Sequence, residues 1–324
     1  MNKIIIIILI SLITSCNNQN SSDKLKGSVF GTSYLIQYET SNIYKKQLDS
    51  LFNVINKSLS TYQIDSDISK LNRNESFVID KHFMKVYDAS KEIFGKTEGA
   101  FDPTIGNLVN AWNFGSESIL QEVDSLKIDS LMQYVGYDKT YRYENTIRKS
   151  NPNVYLEFNA IAKGYAVDVV SEFLESKNIE NYLVEIGGEI RAKGINTKKQ
   201  SAWKVGVEEP NFEGEQVILR AVTLTDEAMA TSGTYRKFKI DEAGNRYAHI
   251  IDTETGYPSK TNLLSISVIA KSCMIADAYA TAFKAMGIDR IKTFLENHPE
   301  LKVFLIFEND EHKLETLSLN GFPA

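Results

Sequence analysis

The chain has 324 residues, a formal net charge of −6 and a hydrophobic fraction of 43%. These values are ordinary for a globular protein, and the length is sufficient for a large core in one or two domains. The mild acidity argues against a nucleic-acid partner, which would require a basic face. Composition alone narrows the function no further.

The N-terminus has the layout of a secretory signal. Lys3 precedes a largely apolar run from Ile4 to Ile13, and the small residues Thr14 and Ser15 follow it. The run is too short to span a bilayer comfortably. Its charged start and abrupt small-residue end favour a signal over a buried strand of isoleucines.

The segment ITSC, at positions 13–16, resembles a bacterial lipobox, in which the cysteine is lipidated and becomes the first residue after cleavage. We therefore expect a lipoprotein signal peptide at 1–15, lipidation of Cys16, a polar tether at 16–26 and one globular domain at 27–324. The expected location is the bacterial cell envelope, with the protein anchored in a membrane by lipid and facing the periplasm. Cys273 is the only other cysteine, so lipidation of Cys16 would leave the domain without a disulfide.

The first half of the chain contains alternating and helical patterns. Polar and apolar residues alternate over 27–40, which predicts a strand. Apolar side chains at helical spacing predict a helix over 44–59, and a second helix is predicted over 81–96. A polar, turn-rich loop lies between these helices at 60–74. Three glycines and a proline interrupt the stretch at 99–115.

The second half contains more strands. A helix is predicted at 124–133, and residues 156–170 form a strand-to-helix junction. A hairpin follows through Gly187 and Gly188, and a helix at 274–286 ends at Gly287. Further strands are predicted at 201–210, 217–233, 246–252, 263–271, 303–307 and 313–317. Runs of strands with occasional helices indicate an α+β fold rather than a doubly wound sheet.

One pair of residues has the spacing of a cation site. Asp277 and Thr281 lie four positions apart on the predicted helix 274–286, so both oxygens share one face. A carboxylate and a hydroxyl suit a hard cation such as Mg²⁺, which takes few protein ligands. Without further context, a solvated aspartate and a threonine packed through its methyl group are the simpler interpretation.

His249 lies in RYAHIIDTETGYP, where a predicted strand enters a glycine-proline turn. A lone histidine is more often structural, but catalytic groups are common at strand ends, and an imidazole titrates near neutral pH. His249 is therefore a candidate general base. Asp252 either forms the turn or holds the histidine or a metal.

Two other turns carry polar groups. In GAFDPTIG, Asp102 precedes a proline and either caps the turn or binds a ligand. In AMATSGTYRKF, a loop with Thr231, Ser232, Gly233 and Arg236 has the composition of a phosphate-binding turn. The Walker pattern is absent, as are G-x-G-x-x-G before a helix, H-E-x-x-H, C-x-x-C and G-x-S-x-G.

The junction LEFNAIAKGYAVDVV, at 156–170, is unusual because Ala160, Ala162 and Gly164 crowd its turn together with Asn159 and Lys163. Small residues at the start of a helix allow a bound group to approach the backbone closely.

Taken together and in order, these stretches resemble the ApbE family, the FAD:protein FMN transferases once named thiamine-biosynthesis lipoproteins. The resemblance covers Gly31 to Gly287 and rests on GTSY, LSTYQIDSDISKLN, GAFDPTIGNLVNAWNFG, FNAIAKGYAVD, YLVEIGGEIRAKG, WKVGVEEP, AMATSGTYR, HIIDTETGYP and SCMIADAYATAFKAMG. It implies an ApbE-like α+β fold, similar to a tunnelling fold, in which helices pack on an antiparallel sheet core.

The resemblance also implies a site for FAD and Mg²⁺. The backbone carbonyl of Ala160 would be a metal ligand beside Asp277 and Thr281, and a backbone ligand would explain the small residue there. Lys163 would neutralise pyrophosphate charge. The residues implied around FAD are Phe30, Tyr62, Ala100, Phe101, Asp102, Glu157, Asn159, Lys163, Gly187, Gly188, Thr231, Ser232, Gly233, His249 and Ile251. Tyr62 or Phe101 could stack on a ring.

The implied reaction transfers FMN from FAD to a threonine hydroxyl of an exported or membrane redox protein and releases AMP, with His249 as the base. An FAD pyrophosphatase that uses water, and a non-catalytic FAD-binding lipoprotein, are the alternatives. Two positions depart from the family pattern. Thr253 replaces a frequent proline, and Met274 replaces an acidic residue that some relatives have, which argues against a second metal.

Overall fold

The computed structural model describes residues 22–40, 42–117, 123–211, 217–234, 238–240 and 246–323. The predicted signal peptide, the lipidation site Cys16 and Arg236 lie outside these residues. Lipidation and the anchor therefore stay predictions. None of the helices within the described ranges is long and apolar enough to cross a membrane.

An antiparallel sheet of eight strands forms the centre of the fold. In spatial order, its strands are β1 (Ser22–Val29), β2 (Thr32–Glu39), β5 (Tyr182–Ile186), β6 (Glu189–Lys193), β10 (Glu227–Gly233), β13 (Leu263–Ala270), β14 (Lys302–Glu308) and β15 (Leu314–Leu319). Every residue of β13 is buried, because both faces of the sheet are covered at its centre.

Helices cover one face of this sheet. They are α1 (Lys45–Leu59), α2 (Asp67–Asn72), α3 (Lys81–Lys96), α6 (Ala162–Glu175), α7 (Cys273–Met286) and α8 (Ile288–Glu296). Their apolar stripes form one hydrophobic core with the sheet, for example through Phe52, Phe83 and Phe283. Because one side of each helix faces this core, apolar residues recur at helical spacing in the sequence.

A second, smaller sheet packs on the opposite face. It consists of β7 (Ile195–Asn196), β8 (Ser201–Glu208) and β9 (Ile218–Leu224), and its Trp203 and Val222 share a core with Ile190 and Ile306 of the large sheet. The remaining elements are α4 (Gly106–Ala111), α5 (Ser125–Met132), a 3₁₀ turn (Tyr137–Lys139), β3 (Thr140–Tyr143), β4 (Thr146–Lys149), β11 (Phe238–Ile240) and β12 (Arg246–Ala248). The predicted α+β fold with an antiparallel sheet core is confirmed.

The predicted tether boundary at residue 26 is wrong. β1 already begins at Ser22 and pairs with β2 from Ser22 opposite Glu39 to Val29 opposite Thr32. The predicted single strand at 27–40 is therefore two strands, which a two-residue turn joins at Phe30 and Gly31. Both turn residues have positive φ, 51° and 73°, as tight hairpin turns require.

Other predicted elements also differ from the structure. The strand predicted over 217–233 is two strands, β9 and β10, which belong to different sheets. The loop at 60–74 contains the short helix α2, because the side chain of Ser66 accepts a hydrogen bond from the backbone N–H of Ser69. The strand half of the 156–170 junction has no ladder pairing, and a single bridge, between Tyr155 and Ile105, lies just before it. The strand predicted over 246–252 ends at Ala248.

Candidate functional site

A cavity of about 1030 Å³ is lined by residues from the helices, the connecting turns and both sheets. It is large enough for a ligand of dinucleotide size. All the site residues predicted within the described part of the chain line this cavity: Phe30, Tyr62, Ala100, Phe101, Asp102, Glu157, Asn159, Ala160, Lys163, Gly187, Gly188, Thr231, Ser232, Gly233, His249, Ile251, Asp277 and Thr281. The fold thus brings together residues that are up to 251 positions apart (Phe30 to Thr281). Their individual ligand roles stay predictions.

The first turn of α6 packs closely against α7. The backbone N–H of Gly164 donates a hydrogen bond of 2.9 Å to Oδ2 of Asp277. A Cβ atom at Gly164 would lie 2.3 Å from the carbonyl oxygen of Cys273 and 2.7 Å from Cβ of Asp277. Only glycine permits this approach. At position 164 the small residue is therefore explained by the close contact between α6 and α7.

A buried carboxylate from α6 fixes the start of α7. Asp168 accepts hydrogen bonds from the backbone N–H groups of Cys273 and Met274, at 3.0 and 2.8 Å, and from the hydroxyl of Ser272 at 2.6 Å. Its Oδ1 also forms an ion pair of 2.9 Å with Arg191. A carboxylate at a helix N-terminus satisfies free N–H groups and the helix dipole. Asp168 therefore orients the helix that carries Asp277.

A short ion pair crosses the wall of the cavity. Nζ of Lys163 lies 2.6 Å from Oε1 of Glu189, the first residue of β6. Burial raises the pKa of Glu189, and the nearby lysine only partly opposes this. Burial also acts to lower the pKa of Lys163, but the carboxylates of Glu189 and Asp277 outweigh it, so the pKa of Lys163 is raised. The lysine is therefore held as an ammonium ion.

The hairpin turn before Glu189 also lines the cavity. Gly187 and Gly188 have φ values of 64° and 101°. The N–H of Gly187 donates to the carbonyl of Ser33 at 2.9 Å, and the N–H of Gly188 donates to Oε1 of Glu185 at 3.0 Å. Positive φ at both positions explains the paired glycines, because side chains would strain this turn.

The turn after β12 is a second wall of the cavity. Oδ1 of Asp252 accepts hydrogen bonds of 2.9 Å from the N–H groups of Glu254 and Thr255, so Asp252 is a turn former. Thr253 donates from its hydroxyl to the carbonyl of Gly99 at 2.8 Å. This bond ties the turn to the loop of Ala100 to Asp102, and a proline at 253 could not form it. The ring of His249 packs edge-on against Phe114, with centroids 6.1 Å apart.

Asp102 caps its turn, and it also lies where it could contact a ligand, so both interpretations from the sequence stay open. Its Oδ1 accepts from the N–H and the hydroxyl of Thr104, at 2.8 and 2.7 Å, which caps the turn. The residue also lines the cavity. Burial raises the pKa of its carboxyl group, and the two Thr104 bonds oppose this shift.

The opposite rim of the cavity contains Tyr62, Glu157 and Asn159. The amide of Asn159 donates to Oε1 of Glu157. Tyr62 is 59% exposed, whereas Phe101 is 3% exposed and belongs to the hydrophobic core. Of the two predicted stacking residues, the structure favours Tyr62, because its ring is available to a ligand.

The candidate donors for a cation include few charged side chains. Across the described ranges, no three His, Cys, Asp or Glu side chains gather as a metal site. The predicted set contains only one such side chain, Asp277, with a hydroxyl from Thr281 and a carbonyl from Ala160, and all three residues line the cavity. Burial raises the pKa of Asp277, so an added positive charge would stabilise its ionised form. The residues present therefore fit a hard cation with few protein ligands.

Sequence reasoning missed Asp168 and Glu189 as parts of the site. Both are charged residues inside segments that the resemblance matched, AKGYAVD and GGEIR. For Asp168 the available signal was its position between Val167 and Val169, which the structure buries. Glu189 follows Gly188 and precedes the buried Ile190, so its pattern gave no comparable signal.

The sequence of this chain is similar to those of known flavin transferases. The model of the ApbE family matches residues 30–305. The FAD:protein FMN transferase of Vibrio cholerae is 34% identical and is aligned over 99% of this chain and 98% of its own length. The corresponding protein of Haemophilus influenzae is 35% identical, over 96% of this chain and 93% of its own.

Solved structures agree with the sequence comparisons. The flavin transferase ApbE from Vibrio cholerae superposes with a TM-score of 0.83 at 34% identity, over 92% of this chain and 97% of that one. The ApbE protein from Thermotoga maritima gives a TM-score of 0.80 at 26% identity, over 91% of this chain and 96% of that one. The family match spans most of the chain, and the relatives are aligned over nearly their full length. The chain therefore belongs to the ApbE family.

Proposed function

We propose that this protein is an FAD:protein FMN transferase, which moves FMN from FAD to a threonine hydroxyl of an acceptor protein and releases AMP. The supporting observation is the cavity, which Lys163, the candidate cation ligands and His249 all line. The names of the full-length relatives support the same activity.

The reaction forms one bond and breaks another at phosphorus. The threonine oxygen bonds to the phosphorus of the FMN half, and the bond from that phosphorus to the bridging oxygen of AMP breaks. AMP leaves with that oxygen, and His249 accepts the proton of the threonine hydroxyl. Lys163 stabilises negative charge on the phosphates. The turn at Gly187 and Gly188 shapes the wall beside them.

A Mg²⁺ ion is part of this proposal, with Asp277, Thr281 and the carbonyl of Ala160 as its protein ligands. When bound, it would supply positive charge to the pyrophosphate and promote departure of AMP. We propose a single ion, because Met274 occupies the position of the second acidic residue and is buried in the core.

The location is also a proposal. The lipobox at 13–16 and the apolar run before it support a lipid anchor on Cys16 and a periplasmic location. Since β1 begins at Ser22, only five residues, 17–21, separate the anchor from the first strand. The domain would therefore lie close to the membrane surface, where a membrane-bound acceptor is accessible.

The test uses full-length protein in detergent with FAD, Mg²⁺ and a small protein from the same genome that carries a flavinylation threonine. Intact masses and released AMP are measured together. One added FMN per acceptor with equal AMP supports the transferase. AMP and free FMN without an adduct indicate a pyrophosphatase, and bound but intact FAD indicates a binding protein. Either of the last two results refutes the proposal.

A further inference from the structure

Glu189 is a buried carboxylate for which the predicted ligand set has no use. It is 2% exposed, although it lines the cavity. Oε1 lies 2.6 Å from the ammonium of Lys163. Oε2 is buried and has no hydrogen-bond partner among the described residues. A buried carboxylate with one unsatisfied oxygen is costly for stability, so Glu189 invites a functional explanation.

The two residues belong to different parts of the fold. Glu189 is fixed by the β5–β6 hairpin, where it pairs with Ile186 across the turn. Lys163 lies in the first turn of α6, beside Gly164 and its bond to Asp277. A free lysine side chain has many rotamers, and the entropy lost when it is fixed at one place opposes binding. The contact with Glu189 on the hairpin restricts the Lys163 side chain to one conformation before a ligand binds.

We infer that Glu189 is a positioning residue, which holds the ammonium of Lys163 at the cavity wall where the phosphates of the dinucleotide bind. This inference rests on the proposed function. It adds a role for a residue that contacts the lysine rather than the substrate. Because the lysine acts on charge that the bound substrate already carries, the main effect falls on FAD affinity and KM rather than on kcat.

Two variants separate the charge of Glu189 from its position. Glu189→Gln keeps an oxygen for Lys163 and removes the negative charge. The pKa of Lys163 then falls, because the charge of Glu189 no longer opposes the effect of burial. Glu189→Asp keeps the charge and withdraws it by one methylene. We expect FAD affinity to fall roughly tenfold in Glu189→Asp, whose shorter side chain no longer holds the ammonium at the cavity wall. At neutral pH we expect a smaller change in Glu189→Gln, which keeps an acceptor oxygen for the lysine.

The pH profile provides the decisive readout. FAD affinity and kcat/KM are measured from pH 6 to 11 for wild type, Glu189→Gln, Lys163→Arg and the double variant. We expect the alkaline loss of affinity to move to lower pH in Glu189→Gln. In the Lys163→Arg background the same change should leave the pH profile in place, because arginine stays charged throughout this range. A purely structural role would not produce this difference.

An identical alkaline limb in wild type and Glu189→Gln would overturn the inference, and so would an equal shift in the arginine background. Should Glu189→Gln fail to fold, Glu189→Asp still tests position: unchanged FAD affinity in that variant contradicts it. Circular dichroism checks folding in each case. FAD affinity is measurable without an acceptor, so a wild type that binds FAD but transfers no FMN refutes the proposed function while the inference is still tested.

Discussion

Gly164→Ala is the most direct test of the contact between α6 and α7. The new methyl carbon would lie 2.3 Å from the carbonyl oxygen of Cys273 and 2.7 Å from Cβ of Asp277. A methyl carbon needs more than 3 Å from each, so the backbone of α7 has to move. Overpacking of this kind costs about 1–3 kcal/mol, whereas alanine's helix propensity returns about 0.5–1 kcal/mol. We expect a net loss of roughly 1–2 kcal/mol in the free energy of unfolding.

Gly95→Ala is the matched control, because Gly95 lies in α3 and a Cβ there meets nothing within 4 Å. It should be neutral or stabilised by up to about 1 kcal/mol. Urea unfolding compares the two variants, and AMP release at varied Mg²⁺ compares their activity. Gly164→Ala should need at least about tenfold more Mg²⁺, since Asp277 is displaced. Equal stability and equal Mg²⁺ dependence in the two variants would refute the close contact.

Three further variants test the site and the core. Asp277→Ala should abolish Mg²⁺-dependent AMP release while part of the FAD binding survives, and unchanged turnover would remove Asp277 from the metal site. His249→Ala should bind FAD but lose FMN transfer, and normal transfer by intact mass would exclude it as the base. Burial lowers the pKa of Lys284 to about 7, although its ammonium donates to the hydroxyl of Thr261 and the carbonyl of Leu263. Between pH 7 and the unfolded value of 10.5 the unfolded chain binds the extra proton, so wild-type stability should rise with pH by up to about 1.4 kcal/mol per unit. Lys284→Met should lose this rise in urea unfolding, and parallel pH curves for the two proteins would contradict it.

Local signals made some elements predictable from sequence. The helix predicted over 81–96 has the bounds of α3, Lys81–Lys96, since Asp80 caps it by accepting from the N–H of Phe83. The hairpin through Gly187 and Gly188 was predictable because paired glycines mark a turn that needs positive φ. In both cases the residues that determine the structure are neighbours in sequence.

Elements that depend on distant partners were less predictable. β1 has few apolar residues and is a strand because β2 pairs with it along its whole length. The helix α2 spans only Asp67–Asn72, too short to show periodicity, and Ile68 and Leu71 are buried by the surrounding core. Tertiary contacts, rather than local propensity, determine both segments.

The features of the candidate site also divide into those predictable from local sequence and those that depend on distant contacts. Its residues were found from family-like segments, but the pairing of Lys163 with Glu189 depends on how α6 meets the hairpin. No spacing in the sequence encodes that contact, because the two residues are 26 positions apart and a strand lies between them. The sequence therefore predicted which segments line the cavity, but the ion pair between Lys163 and Glu189 could be identified only from the structure.

Asp168 and Asp277 show how the fold assigns opposite roles to two buried aspartates on adjacent helices. Asp168 accepts four hydrogen bonds, from the guanidinium of Arg191, the hydroxyl of Ser272 and the N–H groups of Cys273 and Met274. Within the described ranges, Asp277 accepts one, from Gly164. A carboxylate whose oxygens are already satisfied gains little from a cation, whereas a buried carboxylate with one bond gains a great deal. The same helix contact therefore makes Asp168 the support of α7 and leaves Asp277 as the candidate metal ligand.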